Sequence, residues 1–182
     1  MESTNTHSPG NFMFRDLQPT SNYYLLQSYQ KYLKDDDLFI ELLPKDDRYH
    51  IETRTIYYHI KPYFELLEKH GVGHVLSHWT WLPPLRKQFI KAGKRFYNSG
   101  KQCIVRLLTP LRVRYQDSYS QAHPFDKLVD GIMNPEMISE TVDIMRVGIR
   151  EGVGVNVILN NRAGGNAPLI ARDLADKFLK TS

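Results

Sequence analysis

The sequence predicts an α/β fold in which parallel strands, each followed by a helix, form the wall of a barrel with a polar inner face. Three observations predict it. Four short runs rich in β-branched and apolar residues, Tyr49 to Arg54, His74 to Ser77, Gln102 to Leu108 and Val155 to Asn160, are separated by helical patterns. Those helices, at about Ile60 to His70, Arg86 to Ala92, Glu136 to Arg150 and Pro168 to Leu179, make each connection long enough for a right-handed parallel crossover. A period-2 reading then gives every strand one apolar face and one carrying charge or amide. A plain sheet with a solvated face is the alternative.

Taken in order, residues 1–22 form a polar tail with few groups to anchor it, expected to be flexible, and residues 23–182 form the domain. Tyr23 to Leu33 and Leu38 to Leu43 read as helical, followed by a turn at Pro44 to Asp47. In the first strand Tyr49, Ile51 and Thr53 share one face while His50, Glu52 and Arg54 share the other. In the second, His74 and His78 bracket Leu76 and are expected on the polar inner face. Arg106 sits between Ile104 and Leu108, and Asn156 and Asn160 bracket Ile158. Val155 to Ile158 is nearly all apolar and β-branched, as a strand covered on both faces requires. Asn166 then offers an N-cap, Pro168 falls near the first helical position, and Leu169, Ile170, Leu174 and Phe178 repeat at helical spacing.

With 182 residues, the chain makes one ordinary domain or part of a larger one. Hydrophobic content of 41% and charged content of 24% are those of a soluble globular protein. No apolar run approaches membrane-spanning length, and MESTNTHSPGN lacks the basic start and apolar core of a signal peptide. A cytoplasmic protein with no membrane partner is therefore expected. Net charge of +4 permits nucleic-acid binding without indicating it. The single cysteine, Cys103, excludes an internal disulfide and, between apolar neighbours, reads as a buried inert thiol.

The strand-to-helix turn after Val155 to Ile158 outlines an anion site. Asn160 and Asn161 end the strand, Gly164 and Gly165 allow close approach, and Asn166 opens a helix whose first amides point back at the asparagines. Caps that merely close the turn would use the same residues. At the other strand ends, Glu52 is the candidate general acid or base, with Arg54 and Arg106 as holders of an anionic group. Glu52 neutralising either arginine inside the wall is the competing account. Trp79 and Trp81 follow the second strand, stiffened by Pro83 and Pro84, and present rings that could stack on a sugar or base or roof the core. His70, His74 and His78 are four apart, but Gly71 and Gly73 break the helix that would align them. On one strand face, His74 and His78 would stand about 13 Å apart. No metal site is expected, and the motifs name no cofactor.

YHIETR, GVGHVLSHWTWLPPL, CIVRLLTPLRVRY, AHPFD and VILNNRAGGNAPLIARDLA, spread from about Leu38 to Leu179, resemble the C-terminal part of the DUF72 family, also called the YecE-like family. NNRAGGNAP is the most specific of these, similar to the asparagine pair and small-residue turn that close the family's last strand. The resemblance implies a TIM-barrel-like (β/α)8 fold of about 250 to 300 residues, in a family with no settled biochemical activity. Met1 to Lys45 resembles none of the family's opening βα units. The expectation is therefore an incomplete barrel, a half barrel of four parallel strands with flanking helices. Where the family commonly has an acidic residue, this chain has Ser77 and His78.

Four parallel strands cannot close a barrel, which leaves two unpaired edges. Self-association, a complementary half barrel, or Tyr23 to Leu43 folded across the opening would meet that need. Two functions follow for the mouth at the C-terminal strand ends: binding of a small anionic or phosphorylated ligand, with or without catalysis, or association with nucleic acid through its arginines and tryptophans. A truncated family member without independent activity is the third reading.

Overall fold

The structure is a computed structural model that describes residues 33–180. The tail expected at residues 1–22 and all but the last residue of the helix expected at Tyr23 to Leu33 lie outside them. The first described element is a helix, α1 (33–42). After it come β1 (His50–Ile51), α2 (Lys61–His70), β2 (Gly73–His78), α3 (Leu85–Lys91), β3 (Gln102–Leu107), α4 (Tyr115–Ala122), α5 (Pro135–Glu151), β4 (Gly154–Leu159) and α6 (Ala167–Lys180). The strands form one parallel four-stranded sheet in the order β1-β2-β3-β4. Among the described residues no helix is long and apolar enough to cross a membrane.

Local chemistry explains the boundaries. Helix α5 starts where Asn134 Oδ1 accepts from the Glu136 amide at 2.8 Å and Pro135 occupies the first turn. It ends at Gly152, which takes the left-handed φ of 68° that closes a helix without steric cost. The first strand is much shorter than Tyr49 to Arg54. Thr53 turns into the interior, where its hydroxyl lies 2.9 Å from His59 Nε2, and Thr55 caps a single 3-10 turn at Ile56–Tyr58. That bend removes the chain from the ladder. Helix α4 lies where the sequence predicts none, because YQDSYSQA lacks an apolar stripe. Arg114 fixes its first turn through Asp117, at 2.7 Å, while Ser118 and Ala122 face inward.

Register decides which residues share a face. Leu76 pairs with Val105 and Val105 with Val157, and this row packs with Leu107, Met137, Ile138, Ile144 and Ile170 under α5 and α6. Approach is close enough that a Cβ on Gly148 of α5 would lie 2.4 Å from Val155 Cγ2. Ser77 pairs with Arg106 and Arg106 with Ile158 on the opposite face, where Asn156 and Ile158 are exposed. A second apolar cluster joins Leu33 and Ile40 of α1 to Tyr63, Phe64, Leu66 and Leu67 of α2. Helix α1 thus thickens the outer helical layer, and Leu38 to Leu43 does not fold across the open face.

The histidines of β2 require a correction. Period 2 puts His74, Leu76 and His78 on one side, and Leu76 carries both histidines to the helix side instead of the polar inner face. Tyr63 Oη lies 3.0 Å from His74 Nδ1, and His78 Nδ1–H donates to the Thr109 carbonyl at 2.8 Å. The open face of β2 is left to Val75 and Ser77.

Candidate anion site at the C-terminal strand ends

Alternation in β1 and β3 aims Glu52 and Arg106 at the same open face, across β2. The Glu52 carboxylate is held by three side chains: it accepts from Ser77 Oγ, it pairs with Arg106 Nη1, and Arg54 Nη2 lies 3.2 Å from its Oε2. Ser77 is fully buried beneath this group, whereas the Arg54 side chain is 52% exposed. One carboxylate therefore faces two guanidinium groups, and the surplus charge is positive. Arg54 also lies over the Trp79 ring, 4.9 Å from its centroid. Trp79 in turn sits 5.9 Å from the Tyr115 ring, on which Arg162 stacks at 3.7 Å. Arg162 also faces Tyr119 at 5.2 Å, and its Nε is buried without a hydrogen-bond partner among the described residues.

Trp79 is half-buried and joins this run, but Trp81 is 67% exposed in the loop beyond it. The asparagine turn is built differently from an open cradle. Asn160 Oδ1 accepts from the Arg162 amide at 3.0 Å, Asn161 Oδ1 from Ala167 at 2.8 Å, and Asn166 Oδ1 from Leu169 at 3.0 Å. The amides of Gly164 and Gly165 donate to the Asn161 carbonyl. Space left by the glycines is filled by the chain itself: a Cβ on Gly165, at φ 106°, would stand 2.3 Å from the Lys127 carbonyl oxygen. Asn160, Asn161, Gly164, Gly165 and Asn166 thus brace the α6 N-terminus and dock the Lys127 segment, with the glycine amides and the Asn166 Nδ2 donating to protein carbonyls.

Ser77, Tyr115 and Arg162 join the group, none of them a candidate site residue from the sequence; Ser77 stands where the resembled family commonly has an acidic residue. Ser77 was legible, because period 2 places it opposite Leu76 and in line with Arg106. Arg162 and Tyr115 come together only through the contact of α4 with the turn after β4, which no local pattern encodes.

Elsewhere, burial makes groups inert. Cys103 has its thiol pushed up to about 12. The small pocket beside His74, Leu76 and Cys103 has a volume of about 10 Å³, room for one water, on the helix side of the sheet. Asp37, Glu41 and His70 gather within ligating distance of one another, but Lys69 Nζ donates to Asp37 at 2.9 and 3.0 Å and to Glu41 at 2.9 Å. The protein's own ammonium fills the place a cation would take.

Comparisons with protein-family models, with curated proteins and with solved structures return no match.

Proposed function

We propose that this protein is a DUF72-like half-barrel protein of the cytoplasm that binds a small anionic ligand, phosphorylated or carboxylated, at the C-terminal strand ends. The observation that carries the reading is the sharing of Glu52 between Arg106 and the half-exposed Arg54, which leaves net positive charge on the open face. Both Glu52 oxygens are already engaged, so Glu52 serves to hold the guanidinium groups in place rather than to take a proton from a ligand. Arg54 is half-exposed and its guanidinium lies against the Trp79 ring, which suits bidentate capture of a phosphate or carboxylate. No chemical step is assigned.

Isothermal titration with inorganic phosphate and with a sugar phosphate tests the reading. Wild type is expected to bind, and Arg54→Ala to bind at least tenfold more weakly at unchanged thermal stability. Equal binding by the variant, or none by wild type, overturns it.

The alternation of cation and ring along Arg54, Trp79, Tyr115 and Arg162 supports a second reading, association with single-stranded nucleic acid. Steep loss of oligonucleotide binding with salt, and no response to the sugar phosphate, would select it.

A further inference from the structure

The sheet has two edges, and they are protected unequally. β1 is only two residues long, and the Arg48–Asp46 ion pair, at 2.5 Å, stands just before it. A short, charged edge resists pairing. β4 is six residues, GVNVIL, with no charge and no proline. The amides of Gly154 and Asn160 donate to the carbonyls of Lys101 and Leu107, so the even-numbered residues bond toward β3. Val155, Val157 and Leu159 therefore point their N–H and C=O groups outward, where the described residues offer no partner. On the open face beside them, Ile158 is 48% exposed and Asn156 is exposed.

We propose that β4 is a self-association edge, pairing antiparallel with β4 of a second copy about a two-fold axis through Val157. All three outward residues then fall in hydrogen-bonded positions: Val157 meets the partner's Val157, and Val155 meets the partner's Leu159. On the open face Asn156 meets the partner's Ile158. Charge complementarity favours a second copy over a charged partner. A symmetric interface sets each residue type near its own kind, which a charged edge resists by repulsion and this neutral edge does not. On α6, which follows this strand, the exposed arc carries Ala171, Ala175 and the 70% exposed Leu179, with Arg172 and Asp176 one turn apart. Antiparallel approach sets these charges in opposite-sign pairs. Closure of β4 onto the partner's β1 would instead match this edge to a strand of two residues.

Sedimentation of the full chain, with oxidative cross-linking of Val157→Cys, tests the proposal. Cα atoms of a hydrogen-bonded antiparallel pair lie about 5.5 Å apart, within reach of a disulfide. The expected result is a dimer that Val157→Cys locks covalently, while wild type, whose single thiol is buried, does not cross-link. Asn156→Lys with Ile158→Lys, both exposed and clear of the core, should raise the dimer dissociation constant at least tenfold with the fold intact. A monomer at all concentrations overturns the proposal, as does a dimer that Val157→Cys fails to cross-link. If the double lysine variant fails to fold, the first two measurements decide alone.

Discussion

Glu52 and the buried histidines fix most of the chemistry that single residues contribute. Removing the carboxylate leaves Arg106 and the buried Ser77 hydroxyl without their partner, so Glu52→Ala should lower stability by about 1–2 kcal/mol, a figure reduced for the partial exposure of both arginines. Glu52→Gln keeps the Ser77 contact and should lose less; equal urea midpoints for wild type and Glu52→Ala would show that the ion pairs are solvated decoration. Burial lowers His59 to about 4, with Lys91 adding to the shift, and lowers His78 to about 4 despite its bond to Thr109. Burial, then the neighbouring His59, holds His74 well below its ordinary 6.5. The unfolded chain takes up these protons near pH 6.5 and the folded chain refuses them, so stability is complete above that pH and falls as pH drops toward 4. Each histidine contributes a slope approaching about 1.4 kcal/mol per pH unit in that window. Urea unfolding at pH 7, 6 and 5 checks this, and a flat profile contradicts it. Alternation alone placed Glu52, Arg54 and Arg106 together from sequence. It misplaced His74 and His78, because a histidine pattern does not reveal that Leu76 on the same side must be buried.

Elements meet through positions where a side chain has no room. Gly165→Ala would hold alanine at φ 106° with its Cβ against the Lys127 carbonyl, costing about 1–3 kcal/mol of strain and displacing the segment that Gly164 and Gly165 receive. Thermal denaturation should show it, and a variant as stable as wild type would mean that the turn is loosely packed. The glycine pair was visible in the sequence, but its partner was not. A ligand and a segment some forty residues earlier make the same demand for space. The strand positions of β2, β3 and β4 were legible because their apolar runs are long and bounded by turns. The length of β1 and the existence of α4 were not: Thr53 leaves the ladder for His59 and cuts the expected strand short, and α4 is held by the Arg114–Asp117 pair and by Tyr115 under Arg162 rather than by apolar periodicity.

At the scale of the molecule, helices cover one face of a parallel sheet whose strands follow chain order, and the other face carries a charged group at its C-terminal end. Parallel pairing and the alternation of strand and helix were readable from spacing, since right-handed crossovers of this length permit little else. What lies against the open face and the β4 edge was not readable, because an unpaired edge and a paired one have the same local sequence. The most direct test of the account is a pair of calorimetric titrations with a sugar phosphate, at low and at moderate salt, on wild type and Arg54→Ala. Saturable one-site binding that weakens modestly with salt and at least tenfold in the variant is the predicted result. Absence of binding by wild type, or indifference to the loss of Arg54, would contradict it.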